Sequence, residues 1–333
     1  MKNVYTFLIF IISALIVSCS EEENNLDTDI NSKQYQLQTN KNKESLTVLS
    51  YNVFHLPGIA SIKHYKEVER SKGQYQILKD MVSSIDVIVF QEGFNNQVNT
   101  HLFNKLSNLY PYSTILVGKY CNSGSYWNSV AGNCSNSILV VNGGVRIFSK
   151  YPIVAKHQYV FNASAYGTAD YYSNKGAVYV EINKNNKNYH IVGTHLQADQ
   201  GSYEGTSVRL DQLKEIKNWV TGFKIPISEP LIYAGDMNVE YTNIEAYTSM
   251  KRILNSKIAY YFDSSVDIGT YSNTNTLVKE EYPDYNNTLD YILIDKGHKQ
   301  PISIPEMQVL QFKKKGEDLS DHHPVKTTYY FSK

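Results

Sequence analysis

The stretch Leu231-Ile232-Tyr233-Ala234-Gly235-Asp236-Met237-Asn238 combines a short apolar run with polar side chains directly after it. Such a run, closed by a glycine, is typical of a buried β-strand and is too short for a helix. Residues two apart in an extended segment point to the same side, so we expect Asp236 and Asn238 to reach one pocket. An Asx-rich turn is the ordinary alternative.

Other segments also place residues that can do chemistry at or beside the ends of predicted strands. In chain order they are Asn52, Gln91-Glu92, Gly193-Thr194-His195-Leu196, Leu289-Asp290-Tyr291 and Ser320-Asp321-His322. Each is weak alone, because a surface Glu, a core His, an Asp cap or a polar loop is the commoner role. Together they supply oxygen ligands for a hard cation, two histidines and an Asp–His couple. The set predicts Mg²⁺-assisted hydrolysis of a phosphodiester.

The rest of the chain predicts an α/β fold in which strands outnumber helices. Predicted strands are 46–53, 86–91, 114–117, 144–149, 177–182, 190–194, 231–234, 290–294 and 325–331. Apolar residues at helical spacing predict helices at 75–85, 98–109, 207–223 and 244–254. Many strands connect without an intervening helix, which favours mixed sheets packed face to face with helices outside over a doubly wound parallel sheet.

Composition narrows the class of partner. The 333 residues are 42% hydrophobic and 19% charged, which excludes a disordered chain. Lys plus Arg and Asp plus Glu both number 32, so the chain lacks the basic excess typical of nucleic-acid binders. We therefore expect no nucleic-acid partner.

The N-terminus has the pattern of an export signal. A lysine precedes an apolar run that is too short to span a membrane and ends in Ile16-Val17-Ser18-Cys19, which resembles a bacterial lipobox. We predict a lipoprotein signal peptide at 1–18, a lipidated Cys19 with a flexible tether at 19–43, and a catalytic domain at 44–333. An ordinary signal peptide with an incidental cysteine is the alternative. Glu21-Glu22-Glu23 is either a surface-sorting tract or a solvated linker. The prediction is an exported lipoprotein at the outer membrane or cell surface.

The two remaining cysteines, Cys121 and Cys134, enclose a short loop rich in Asn, Ser and Gly. In an exported protein this pattern predicts a disulfide, with two free thiols as the alternative.

The ordered motifs resemble the endonuclease/exonuclease/phosphatase superfamily, and in finer detail bacterial neutral sphingomyelinases. The segments that carry the finer resemblance are Ser50-Tyr51-Asn52-Val53, Gln91-Glu92-Gly93-Phe94-Asn95-Asn96, Gly143-Gly144-Val145-Arg146-Ile147-Phe148-Ser149-Lys150-Tyr151-Pro152-Ile153, Asp170-Tyr171-Tyr172-Ser173-Asn174-Lys175-Gly176, Thr194-His195-Leu196-Gln197-Ala198 and Leu289-Asp290-Tyr291-Ile292. The resemblance implies a DNase I-like four-layer sandwich. It also implies Mg²⁺, with Mn²⁺ or Co²⁺ as substitutes, and hydrolysis of sphingomyelin to ceramide and phosphocholine. We expect the protein to be a monomer.

The resemblance also implies a role for each site residue. His322 is expected as the general base with Asp290 orienting it, and His195 as a stabiliser of phosphoryl oxygens or helper of the leaving group. Asp236 and Asn238 are expected to position water and phosphate. Glu92, Asn52 and Asp321 are expected at the metal. Asp170 and Lys175 are expected near the phosphate, and Phe94 with nearby tyrosines at the choline.

One segment departs from the resemblance. Haemolytic members carry an aromatic-tipped hairpin between the Asp-Tyr-Ile strand and the Ser-Asp-His loop, whereas residues 295–319 here are short. Their one aromatic is Phe312, beside Lys313-Lys314-Lys315, which is either a contact for anionic headgroups or a solvated loop. A surface nuclease or phosphatase of the same fold, and a catalytically dead binding protein, remain as alternatives.

Overall fold

Two β-sheets packed face to face form the centre of the computed structural model. The structure describes residues 43–58, 66–201, 203–258, 269–303 and 305–333. The proposed signal peptide, Cys19 and the tether up to residue 42 lie outside the described residues. Among the described residues, no helix is long and apolar enough to cross a membrane.

The strands in chain order are β1 (Lys43–His55), β2 (Val87–Gly93), β3 (Tyr112–Ser113), β4 (Ser129–Gly132), β5 (Arg146–Ser149), β6 (Ile153–Val160), β7 (Gly176–Lys184), β8 (Lys187–His195), β9 (Leu231–Asp236), β10 (Ser256–Ile258), β11 (Tyr271–Ser272), β12 (Asn286–Asn287), β13 (Asp290–Asp295), β14 (Met307–Val309), β15 (Lys313–Lys314), β16 (Glu317–Asp318) and β17 (Val325–Ser332). The helices are α1 (Glu67–Asp80), α2 (Asn96–Leu106), α3 (Thr206–Thr221) and α4 (Ile244–Ile253). Short 3₁₀ turns lie at Val82–Ser84 and Ala169–Tyr172.

The large sheets have the strand orders β14-β17-β1-β2-β5-β3 and β10-β13-β9-β8-β7-β6-β4. Both are mixed, since β1–β2 and β8–β9 are parallel and most other pairs are antiparallel. A shared core lies between their inner faces, and includes Val89 from the first sheet and Ile191 and Ile232 from the second. A second cluster packs α3 and α4 on the outside of the second sheet, and a third packs α1 and α2 on the outside of the first. The predicted four-layer α/β sandwich is confirmed.

The predicted strand at 114–117 is wrong, because only Tyr112–Ser113 pairs regularly with β5. The Thr114 backbone N–H still donates to the Ile147 carbonyl, but the Ile147 N–H donates to the Thr114 hydroxyl, and the Thr114 carbonyl accepts from the Arg146 guanidinium. Side chains therefore take over part of the ladder there. Strand β6 was not predicted. Its burial is mostly intermediate, and it lacks the apolar run that marks a core strand.

Helix α1 begins at Glu67, eight residues before the predicted start at 75. Its first turns bury the polar residues Arg70, Ser71 and Gln74. Arg70 and Gln74 both donate to the backbone carbonyl groups of Val53 and Leu319. A polar buried face gives no apolar stripe, so the sequence pattern showed only the later half of this helix.

Two features of the loops bear on the earlier expectations. The predicted disulfide between Cys121 and Cys134 is present, with Cα atoms 5.3 Å apart. Phe312 is buried, with its ring centroid 5.2 Å from that of Tyr51. Lys313 and Lys314 beside it form β15, which pairs with β16 in a short hairpin. Phe312 is therefore a core residue and not a membrane-facing tip.

Candidate active site

Sheet register brings three of the predicted residues into one row. Asp236, the last residue of β9, lies opposite His195 at the end of the parallel strand β8. On its other side Asp236 lies opposite Asp290, the first residue of the antiparallel strand β13. Gly235 permits this close approach, because a Cβ there would lie 2.1 Å from the Thr194 carbonyl oxygen. The motifs at 193–196, 235–238 and 289–291 thus meet at one edge of the second sheet.

His322 and Asp290 form the predicted couple. The His322 Nδ1 and an Asp290 carboxylate oxygen are 2.7 Å apart, and both side chains are buried. Nε2 of His322 points toward Asp236, with 3.7 Å between it and Oδ2. The ligand atoms of Asp236, Asp290 and His322 lie within 4.8 Å of one another, close enough to be a possible metal site. Because Nδ1 is committed to Asp290, the Nε2 atom is the one free to act on a substrate or water.

Glu92 and Asp321 bring further negative charge to the same site from the first sheet and the last loop. Glu92 has a left-handed backbone, with φ 56°, which is strained for a residue other than glycine and typical of functional positions. Its Oε2 atom is buried and has no hydrogen-bond partner, and neither has Oδ1 of Asp290. Unpartnered buried carboxylate oxygens are costly unless a cation binds them. The donor set therefore fits a hard divalent cation at Glu92.

The pKa values of Glu92, Asp236 and His322 are all raised, which is expected where buried carboxylates lie close together. Burial, with the nearby Asp321 carboxylate, raises the pKa of Glu92 to about 8. Burial and the Asp290 carboxylate raise the pKa of Asp236 to about 6. Burial alone would lower the pKa of His322, but the surrounding carboxylates outweigh it and hold that pKa well above its usual value. A divalent cation among these carboxylates would offset the shifts.

Asn52 holds the Asp236 carboxylate in place. Its amide nitrogen donates to Oδ2 of Asp236 at 3.1 Å, and its amide oxygen accepts from the Phe54 backbone N–H. The Ser320 hydroxyl donates to the Asn52 carbonyl group and so ties the last loop to β1. The expected contact between Asn52 and the metal would have to use the remaining lone pair of the amide oxygen.

Lys175 lies in the site but is fully engaged. Its ammonium donates to Asp170 Oδ2 at 2.7 Å, to the Leu196 carbonyl at 2.9 Å and to His195 Nε2 at 3.2 Å. Asp170 also accepts from the Ala198 backbone N–H. Burial, together with the charges of Lys175 and His322, holds the pKa of His195 well below its usual value, so His195 is neutral. The predicted Asp170–Lys175 pair thus acts on the site through His195.

Asn238 reaches the site in a different way from the one predicted. It is not extended, since β9 ends at Asp236 and Asn238 has φ 49°. Its backbone N–H donates to Asp236, and its amide donates to the Leu196 carbonyl that also binds Lys175. The expectation of a shared pocket holds, whereas the strand geometry that motivated it is wrong.

Phe94 lies beside Glu92, since both residues pack against Gly144. It follows β2, is partly buried, and its ring faces Gly144, where a Cβ would lie 3.0 Å away.

Two contributors were missed by the sequence patterns. The ring of Tyr271 lies 5.0 Å from that of His322, and the two residues form a backbone bridge. The hydroxyl of Thr270 accepts from the backbone N–H of Asp290 and so fixes the start of β13. Both lie in a tyrosine- and threonine-rich segment without periodicity, so no local signal could have identified them.

This fold and this set of residues define a known class of protein. The model of the Endonuclease/Exonuclease/phosphatase family matches residues 49–322, which include every residue of the site described above. The chain therefore belongs to that family.

The similar proteins narrow the class further. Sphingomyelinase C of Bacillus cereus is 36% identical over 318 residues, which cover 89% of this chain and 92% of the relative. Sphingomyelinase C 2 of Leptospira interrogans is 34% identical over 92% of this chain, which spans about half (48%) of that longer protein. A mutant beta toxin of Staphylococcus aureus, whose crystal structure contains bound magnesium ions, superposes with a TM-score of 0.72 at 31% identity, covering 87% of this chain and 100% of that chain. Within its family the chain is a member of the bacterial sphingomyelinases.

Proposed function

We propose that the chain is a Mg²⁺-dependent phosphodiesterase that hydrolyses sphingomyelin to ceramide and phosphocholine. The observation that carries the proposal is the buried His322–Asp290 couple, whose free Nε2 faces Asp236 beside Glu92, whose buried Oε2 atom has no hydrogen-bond partner. The substrate follows from the relatives, which are named sphingomyelinase C.

The metal corner would consist of Glu92, with Asp321 and Asn52 beside it. A bound Mg²⁺ would supply positive charge to the phosphoryl oxygens and to the departing oxygen. Mn²⁺ and Co²⁺ are possible substitutes, because the donors are carboxylate and amide oxygens.

His322 would act as the general base once a bound divalent cation offsets the carboxylates that raise its pKa, because only the neutral imidazole can accept a proton. Nε2 takes a proton from a water molecule, whose oxygen forms the new bond to phosphorus while the bond to the ceramide oxygen breaks in line. Asp290 holds the ring through Nδ1 and stabilises the imidazolium that forms. The imidazolium returns its proton to solvent and the departing ceramide oxygen gains one to become a hydroxyl group, so one water molecule is consumed and no net proton is released before phosphocholine ionises.

His195 would stabilise the phosphoryl oxygens or assist the departing oxygen. Because it is neutral, it contributes a hydrogen bond and not a charge. Lys175, paired with Asp170, fixes the position of His195. Lys175 and Asn238 both donate to the carbonyl group of Leu196, the residue that follows His195. Phe94 and nearby tyrosines would contact the choline by cation–π interaction.

We further propose that the enzyme is an exported lipoprotein monomer, held at the outer membrane or cell surface by a lipid on Cys19. The lipobox-like Ile16-Val17-Ser18-Cys19 supports the anchor. The balance of 32 basic and 32 acidic residues supports a substrate other than nucleic acid.

A substrate panel tests the proposal. The chain from Ser20 onward contains every described residue and lacks Cys19, so it can be purified without a lipid. We expect Mg²⁺-dependent release of phosphocholine from sphingomyelin, much slower release from phosphatidylcholine, and no cleavage of DNA or of phosphate monoesters. Cleavage of DNA alone would identify a nuclease instead, and inactivity on every substrate would indicate a binding protein.

A further inference from the structure

Two large apolar side chains stand at the corner of a turn. The Val140 backbone N–H donates to the Ser137 carbonyl, which makes Ile138 and Leu139 the central residues of a β-turn. Ile138 is 98% exposed and Leu139 is 76% exposed. Central turn positions are usually taken by Gly, Pro, Asn, Asp or Ser, so two adjacent aliphatic residues need a reason.

The turn is held firmly by one buried side chain. The amide of Asn174 accepts from the Ser135 backbone N–H and donates to the Ser135 carbonyl, and its backbone N–H donates to the Val141 carbonyl. Both ends of the loop are therefore fixed to the same residue. Ile138 and Leu139 are presented in an ordered conformation, so little conformational entropy is lost when they meet an apolar partner.

The same loop lies on the rim of the candidate active site. Asn174 directly precedes Lys175, and Val141 pairs with Ser173. After the turn, the Asn142 amide donates to the carbonyl group of Phe94, next to the metal corner. The loop therefore contacts the segment that leads into Lys175 at one end and Phe94 at the other.

Three exposed tyrosines extend the apolar turn. Tyr166, Tyr171 and Tyr172 are 80%, 42% and 48% exposed, and their rings contact edge to face at 5.1 and 5.3 Å. The Tyr172 carbonyl accepts from the Val141 backbone N–H, so the tyrosines adjoin the loop. Exposed Tyr beside aliphatic residues is typical of a surface that sits at the boundary between a membrane and water.

We propose that the Ile138–Leu139 turn and the tyrosine cluster (Tyr166, Tyr171 and Tyr172) dock the enzyme on a lipid bilayer and present the site to its substrate. The inference rests on the proposed function, because a diester whose lipid tail stays in the bilayer can reach the buried site only if the rim meets the membrane. Residues 133–144 carry no charge, so the contact is apolar and suits a zwitterionic bilayer.

The test compares two variants of the chain from Ser20 onward on neutral vesicles of sphingomyelin, phosphatidylcholine and cholesterol. Ile138→Asp combined with Leu139→Asp charges the turn. Ile227→Asp is the matched control, since Ile227 is 79% exposed and precedes β9, at the opposite end of that strand from Asp236. Vesicle partitioning is measured in EDTA, so that turnover does not alter the surface. Hydrolysis of a water-soluble phosphocholine ester is measured separately with Mg²⁺.

We expect the double variant to partition roughly 10- to 100-fold more weakly than the unmodified chain. The control should bind normally, and both variants should keep the thermal unfolding midpoint and the rate on the soluble ester. Unchanged partitioning of the double variant, or failure of the unmodified chain to bind neutral vesicles, overturns the proposal. If the unmodified chain does not hydrolyse the soluble ester with Mg²⁺, the proposed function is refuted. The partitioning result still decides whether the turn is the docking surface.

Discussion

Replacing His322 by alanine should lower kcat on sphingomyelin by roughly 10²- to 10⁴-fold, the usual contribution of a positioned general base. The reason is geometric. His322 Nδ1 is occupied by Asp290, Nε2 faces Asp236, and the ring packs against Tyr271. Only a small effect on KM is expected, because the imidazole acts on the attacking water and not on the lipid.

The His322→Ala variant needs two controls. The first shows that the variant folds, and the second shows that the loss of activity is specific to His322. Far-ultraviolet circular dichroism and the thermal unfolding midpoint report on the first. His101→Ala is the second, since His101 is a partly buried residue of α2, away from the edge where β8, β9 and β13 meet. A folded His322→Ala variant whose kcat stays within about tenfold of the unmodified enzyme would show that another group is the base.

Replacing Glu92 by glutamine should raise the Mg²⁺ concentration for half-maximal activity by at least about 10- to 100-fold, the range found when only an outer partner of a metal ligand is lost. Glu92 brings a buried oxygen without a partner, and its carboxyl has a raised pKa of about 8. Glutamine keeps the shape and one oxygen but removes the charge that attracts the cation.

The same substitution separates binding from catalysis. Mg²⁺ should raise the unfolding midpoint of the unmodified chain by mass action, and the Glu92→Gln variant should lose most of this increase. In EDTA the variant should be at least as stable as the unmodified chain, because position 92 no longer contributes a buried carboxylate oxygen without a partner. Glu181→Gln, a partly buried glutamate in the middle of β7, should change neither readout. An unaltered Mg²⁺ titration of Glu92→Gln would remove Glu92 from the metal site.

The predictable part of the site lies at the ends of core strands. His195, Asp236 and Asp290 each adjoin an apolar run, and strand pairing then places them side by side. Such runs give a local signal, because burial on both faces selects apolar residues at consecutive positions. The ratio of strands to helices and the short connections between strands indicated mixed sheets packed face to face with helices outside, and the family resemblance implied the four-layer sandwich.

The rest of the site depends on contacts between distant parts of the chain. Arg70 and Gln74 support the strand end at Val53 from a helix whose polar face hid its first turns. The three bonds of Lys175 and the left-handed backbone of Asn238 follow from packing around the Leu196 carbonyl, which no spacing in the sequence reveals. The exposed Ile138–Leu139 turn escaped notice because exposure is a property of the folded chain.

In the proposed reaction, a water molecule activated by His322 attacks the phosphorus atom of sphingomyelin. Its most direct test is a single-turnover reaction in water enriched in heavy oxygen, with the products separated and their masses measured. We expect one heavy oxygen atom in phosphocholine, none in ceramide, no product in EDTA, and product formation roughly 10²- to 10⁴-fold slower with His322→Ala. Heavy oxygen in ceramide, or phosphocholine release that persists without a divalent cation, would contradict it.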